Sequence, residues 1–333
     1  MKLIVDAFGG DNAPLEILKG CAKAVRELGV EILLTGDEET IRNVAGENGI
    51  SLEKAEIVNT TQVVDMDDDP MCVVKTKNDS SIAVGMRLLN EGAGDAFVSA
   101  GSSGAIVSGG TLIVKRIRGV RRVAFAPIMP KAEGFFMLID SGANNDCSPD
   151  MLRQFGIMGS AYMEKVMKIE KPRVGLVNVG VEEHKGSQTI REAYALLKET
   201  GLNFIGNVEA REIPADGADV IVADGFTGNV VLKLYEGVAR ELVNKIKGVF
   251  TKSLKNKLAA AMVLGDMKSF KKSMDYNEYG GAPLMGTRKP VFKAHGSSTE
   301  QTFYNALRLT KEYVESNAIE YIKEAIEALH EEE

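Results

Sequence analysis

Six short clusters of acidic, amide, hydroxyl and glycine residues recur along this chain, most of them directly after an apolar run. They are Asp6 to Asn12, Ser99 to Gly104, Asp140 to Asp146, Glu183 to Gly186, Asp224 to Asn229 and His295 to Gly296. Glycine lets backbone approach closely, helix starts offer unpaired N–H groups to anions, and amides and lysine add donors and charge. Residues of these types suit holding a small oxyanion and stabilising charge that develops beside it. Covalent catalysis fits them poorly: there is no G-x-S-x-G elbow, and no histidine neighbours a candidate serine motif.

The elements that must position these clusters can be read in turn. Leu3 to Val5 forms an apolar run suited to a buried strand that ends at Asp6, Gly9 and Gly10 let the chain turn, and Asp11 and Asn12 are good cap residues before Pro14. Leu15, Leu18, Cys21, Val25 and Leu28 then recur at helical spacing. Such a turn either only caps its helix or, with the rest of the chain, faces a ligand at the strand end. Strands at Glu31 to Thr35 and Glu56 to Asn59 flank a helix at Glu38 to Asn48, and Ser80 to Glu91 makes another helix. This alternation predicts an α/β fold with a doubly wound, mostly parallel sheet.

Asp95 to Ser99 is a strand opening into a loop of Gly101, Ser102, Ser103 and Gly104, whose N–H groups could cradle phosphate although a Walker lysine is lacking. Val123 to Met129 and Phe135 to Asp140 suggest an antiparallel hairpin that empties into Asn144, Asn145 and Asp146. A strand at Pro172 to Val179 leads to Glu182, Glu183, His184, Lys185 and Gly186. Lys185 there either binds a tetrahedral anion or pairs with a neighbouring glutamate. Strands at Asn203 to Asn207 and Asp219 to Ala223 follow, the second delivering Asp224, Gly225, Thr227, Gly228 and Asn229 to the head of a helix. The Asn229 amide and the N–H groups of that turn can face a developing oxyanion. Gly280 and Gly281 mark a turn, and Val291 to Ala294 is a last strand ending at His295 and Gly296. His295 either bonds a substrate oxygen or is satisfied by backbone, and Ser298 with Gln301 reads as a capping box. In a mostly parallel sheet these ends meet along one edge and line one cleft.

Composition narrows the classes. A chain of 333 residues can form one large unit, here taken as 1–333, and a net charge of -7 argues against a general nucleic-acid binder. Cys21, Cys72 and Cys147 form no C-x-x-C and the histidines number three, so no metal site is expected and a reducing cytoplasm is the natural compartment. No signal peptide and no long apolar span is found, so the chain is expected neither to be exported nor to cross a membrane. The acidic run Asp65, Asp67, Asp68 and Asp69 lacks calcium-loop spacing and reads as a solvated loop.

Two regions stand out by charge. Lys115, Arg116, Arg118, Arg121 and Arg122 form either a solvated helix end or a docking patch for an acidic partner or phosphate. Over 243–275, lysines such as Lys245, Lys252, Lys268, Lys271 and Lys272 accompany an apolar stripe through Val249, Leu254, Leu258 and Met262. That is either a core helix with a solvated face or a projecting amphipathic helical segment lying on an anionic bilayer.

In its motifs the chain resembles the PlsX family of phosphate acyltransferases over nearly its whole length. Val5 to Pro14 reads V-D-A-F-G-G-D-N-A-P, Asp140 to Asp146 reads D-S-G-A-N-N-D, Phe204 to Glu212 reads F-I-G-N-V-E-A-R-E, and Asp224 to Lys233 reads D-G-F-T-G-N-V-V-L-K. Ser102 and Ser103 depart from the family's usual Asn-Thr. The resemblance implies a Rossmann-like fold related to isocitrate and isopropylmalate dehydrogenases and an acyl transfer from acyl carrier protein to inorganic phosphate. It further implies acyl phosphate made for phospholipid synthesis without a cofactor, by a cytoplasmic homodimer peripherally bound to the membrane through the lysine-rich segment. On that basis Lys185 binds phosphate, Asn229 steadies the oxyanion, Asp224 or Asp6 orients the donors, and the other cluster residues, with Gly281, contact substrate. Two other classes remain: a related NAD-dependent decarboxylating dehydrogenase, and a noncatalytic carrier-protein-binding scaffold at the membrane.

Overall fold

The computed structural model describes the backbone of residues 1–273 and 278–331, and their side chains except those of 271–273, 330 and 331. Met274 and Asp275 of the expected basic segment, its Lys271 and Lys272 side chains, and the last two glutamates lie outside the described residues.

In chain order the strands are β1 (Lys2–Asp6), β2 (Glu31–Gly36), β3 (Ala55–Asn59), β4 (Ala96–Ser99), β5 (Ala124–Phe125), β6 (Ile128–Pro130), β7 (Phe135–Ile139), β8 (Val174–Asn178), β9 (Phe204–Glu209), β10 (Val220–Val222), β11 (Gly281–Met285) and β12 (Val291–Ala294). They form two sheets where one was expected. The first has the order β3-β2-β1-β4-β12-β11-β5 and the second β6-β7-β10-β8-β9. Pairing is parallel except at β11, which runs antiparallel to β12 and β5, and between β6 and β7. The expected hairpin is therefore real only in part. Its first arm breaks around Pro127, which has no N–H for a ladder, so β5 joins one sheet and β6 the other. β11 stands where Gly280 and Gly281 predict only a turn, because Gly-Gly-Ala-Pro carries little strand propensity.

Leu3, Ile4 and Val5 are fully buried, as a parallel strand covered on both faces requires. One hydrophobic cluster runs from Leu3 and Ile17 through Phe303 to Phe155 and Tyr162, so it spans both sheets. Tyr162 stacks on Tyr313 with ring centroids 5.5 Å apart, joining helices Pro149–Lys165 and Glu300–Glu315.

Two local expectations change, and the basic segment takes a definite form. Asp11 and Asn12 do not cap the first helix, Leu15–Leu28, which has no side-chain cap. Instead the Asp11 N–H donates to the Gly296 carbonyl at 2.8 Å, and the Asn12 amide donates to the Ser298 carbonyl at 3.2 Å. The capping box at Ser298 does not form. Thr299 caps the helix Glu300–Glu315, while the Ser298 hydroxyl donates to the His295 carbonyl at 2.6 Å. Lastly, the basic segment continues a 27-residue helix, Gly225–Thr251, into two shorter ones, Leu254–Met262 and Leu264–Ser273. Leu254–Met262 buries none of its residues.

Candidate active site

Strand order reverses beside β1, between β2 and β4, and the loops after β1 and β4 open there, where an α/β sheet offers a ligand crevice. In the second sheet, β7 and β10 are parallel neighbours; Ser141 stands on the loop after β7 and Asn229 in the first turns of the helix Gly225–Thr251 that follows β10. A cleft of about 420 Å³ lies where the two sets of loops meet. Asp11 and Ser103 come to it from the first sheet, Ser141 and Asn229 from the second, and Gly281, Lys293, His295 and Gly296 from the returning strands. One wall is apolar, formed by Phe125, Pro127, Ile128, Met129 and Leu232. Lys233 and Glu236 add charge and pair with each other at 3.0 Å.

Two buried carboxylates hold these loops without lining the cleft. Asp6 accepts from the Ser99 hydroxyl at 2.6 Å and the Phe8 N–H at 3.0 Å, and the Gly101 N–H donates to Ser99 Oγ at 2.9 Å. Gly9 is required here, since a Cβ would stand 2.6 Å from both Asp6 Oδ2 and the Gly101 nitrogen. Asp140 accepts from the backbone N–H groups of Phe125, Gly142, Ala143 and Asn144 and from the Asn144 amide. Burial raises both carboxyls above the ordinary range, against the donors that lower them.

The D-G-F-T-G-N block forms the cap and first turns of Gly225–Thr251. Asp224 is its N-cap, accepting from the Thr227 N–H and hydroxyl, each at 2.8 Å. The Gly225 N–H donates to the Asn144 carbonyl at 2.7 Å, and a Cβ on Gly228 would lie 1.8 Å from the Asp140 carbonyl oxygen. These contacts set Asn229 at the cleft, close to Gly142.

The remaining expected residues are placed differently. Gly101 and Ser102 are buried behind the cleft, Gly104 packs on Pro70, and Asp146 is exposed beyond it. Lys185 is exposed on the loop after β8, outside the lining residues. Two amides fix that loop: Asn207 Nδ2 donates to the Glu182 carbonyl at 3.0 Å and Asn178 Nδ2 to the Lys185 carbonyl at 3.1 Å. Gly186 has a positive φ of 85° beside Asn178. The Lys185–glutamate ion pair does not form among the described residues, because Glu183 binds Lys198 at 3.0 Å and the Tyr194 hydroxyl at 2.9 Å. Sequence reasoning missed Lys293, Lys233, Glu236 and the apolar wall. Two signals were available: Lys233 closes the D-G-F-T-G-N-V-V-L-K motif, and a lone lysine stands inside Val-Phe-Lys-Ala, where a charge seldom enters a buried strand without a purpose.

The chain matches the family model described as "Fatty acid synthesis protein" over residues 1–321. It is 44% identical over 333 residues to the phosphate acyltransferase of Alkaliphilus oremlandii, covering 100% of this chain and 99% of that one. Among solved structures it is similar to a phosphotransacetylase from Streptococcus pyogenes, with a TM-score of 0.64, 19% identity and coverage of 96% and 94%. A 4-hydroxythreonine-4-phosphate dehydrogenase from Burkholderia phymatum also matches, with a TM-score of 0.52, 16% identity and coverage of 93% and 97%. The two structures show a shared fold only. The full-length match in sequence, laid over a cleft that joins an apolar wall to charged and amide groups, shows that this chain belongs to the PlsX family of phosphate acyltransferases.

Proposed function

We propose that the protein moves a long-chain fatty acyl group from acyl carrier protein to inorganic phosphate, giving acyl phosphate for phospholipid synthesis in the cytoplasm. The observation that carries this reading is the two-sided cleft, in which Phe125, Ile128, Met129 and Leu232 suit a hydrocarbon chain and Asn229, Lys293 and His295 suit its reacting end. Phosphate is already anionic at neutral pH, so it needs positioning more than activation. In this assignment Asn229 donates to the tetrahedral oxyanion, Lys185 draws phosphate in at the rim, and Asp11, Ser103, Gly281 and Gly296 shape the pocket. Asp224, Asp6 and Asp140 act at one remove, by fixing the loops that present those groups.

The test is incubation of the chain with long-chain acyl-carrier protein, with and without phosphate, followed by mass spectrometry. Phosphate-dependent acyl phosphate and free carrier are expected, and their absence overturns the reading. Lys185→Ala should raise the phosphate KM by about tenfold or more, the loss of one charge-assisted contact. Wild-type turnover at subsaturating phosphate would remove Lys185 from the assignment. Asn229→Ala should cost kcat about 10²- to 10³-fold, as for an oxyanion donor.

Surface features support the partners. Arg118 and Arg122 are exposed and form no ion pair among the described residues, whereas Arg121 is held by Asp150, so the patch keeps free guanidinium groups for an acidic carrier. Phe226, Val230, Leu234, Val238 and Leu242 form an exposed ridge at four-residue spacing with no lysine in it, suited to a second copy of the chain. Further on, Leu254, Leu258 and Met262 are at least 71% exposed among lysines, suited to an anionic bilayer. No helix among the described residues is long and apolar enough to cross a membrane.

A further inference from the structure

β12 carries into the cleft a cation to which the roles above give no chemical step. Lys293 pairs in register with Ala282 of β11, and both line the cleft. Its ammonium donates to the Ala294 carbonyl at 3.2 Å and forms no ion pair among the described residues. A half-buried ammonium at the edge of an apolar wall loses hydration that a direct partner would normally replace. Here the charged groups around it act only at longer range. Asp11 and Glu236 favour the charged form, and Lys233 and His295 lie on the same cleft. Burial, and then Lys233, push the Lys293 pKa down to about 8. Near neutral pH the side chain is thus protonated yet ready to release its proton.

We propose that Lys293 is a catalytic proton carrier that protonates the sulfur leaving the thioester and is reprotonated at the expense of the phosphate. This rests on the acyl-to-phosphate reading above. A phosphate oxygen bonds to the acyl carbon, the carbon–sulfur bond breaks, and sulfur takes both the bonding electron pair and the Lys293 proton. Phosphate enters as the hydrogen phosphate dianion and leaves as the dianionic acyl phosphate, a mixed anhydride, so the proton it sheds restores the ammonium. Atoms and charge balance without a further reactant. His295 is the less suitable donor: its Nδ1 is engaged with Ser297 Oγ at 2.9 Å, and burial lowers its pKa below the ordinary imidazole value, favouring the neutral ring.

The test compares wild type with Lys293→Arg on two donors: acyl-carrier protein, whose alkyl thiol needs a proton, and an aryl thioester, whose more acidic thiol leaves without one. Arginine keeps the charge but does not release its proton at these pH values. With the alkyl thioester the variant should lose about 10²-fold or more in kcat while its phosphate KM stays within about threefold of wild type. With the aryl thioester its kcat should return to within about tenfold of wild type. In wild type kcat should fall as pH rises through about 8, where the ammonium is lost, and the variant should lack that alkaline decline. Should the arginine not fit, Lys293→Met is read for the same dependence on the leaving group. Wild-type kcat in the variant, or an equal loss with both thioesters, overturns the proposal while leaving acyl transfer to phosphate intact. A wild-type chain that releases no thiol in response to phosphate would instead overturn the parent reading.

Discussion

The two stretches of the helix Gly225–Thr251 do opposite things with the same backbone. Its first turn is locked from within: Asp224 caps it, Gly225 meets Asn144, and Gly228 leaves no room for a side chain against Asp140. From Val230 onward a ridge through Leu234, Val238 and Leu242 is exposed, and the helix that follows at Leu254–Met262 buries nothing. In the first stretch glycine and a short carboxylate report contact, because backbone must touch backbone. In the second, apolar side chains report a surface that the folded chain does not itself cover. Hydrophobicity alone would rank these regions the wrong way round.

The sharpest break in that contrast comes from Gly228→Ala, whose new Cβ would lie 1.8 Å from a backbone oxygen that has no flexible end to yield. A loss of more than about 3 kcal/mol is expected in urea unfolding, above the usual cost of overpacking a side-chain core. Asp140→Ala should follow at about 3 kcal/mol, because several buried donors lose their acceptor at once. Asp224→Ala, the loss of one helix cap, should cost about 1 kcal/mol in the same titration. Least affected should be Leu234→Gln, with stability within about 0.5 kcal/mol of wild type at low protein concentration. Sedimentation should nevertheless show weaker self-association for that variant. If Leu234→Gln unfolded the monomer as readily as Asp224→Ala, the outer ridge would belong to the core and the contrast would fail.

The cations at the strand ends show where reading the chain in order falls short. Lys185 was conspicuous because it stands beside glycine and glutamates in a turn, yet its loop lies outside the cleft lining. Lys293 was inconspicuous because it lies within a four-residue apolar strand, and only the pairing of β12 between β4 and β11 shows what it faces. Similarly, Asp140 is legible as a polar strand end but not as a buried acceptor that holds other residues in place, whereas the resemblance already points to Asp6 as an orienting group. A carboxylate's neighbours in space decide which of those it is.

By itself the sequence determined the strand and helix alternation, most element bounds to within a residue or two, the polar clusters at strand ends, and the family. Those follow from local rules: the period of apolar residues, the dihedral limits of glycine and proline, and short motifs. Tertiary structure alone decided that the described strands form two sheets, that β5 and β6 part at Pro127, and that β11 and β12 return to the first sheet more than a hundred residues later, with Lys293 on β12. Strand pairing joins residues distant in the chain through hydrogen bonds that any backbone can make, so the partner is chosen by packing of the whole molecule rather than by any stretch of it.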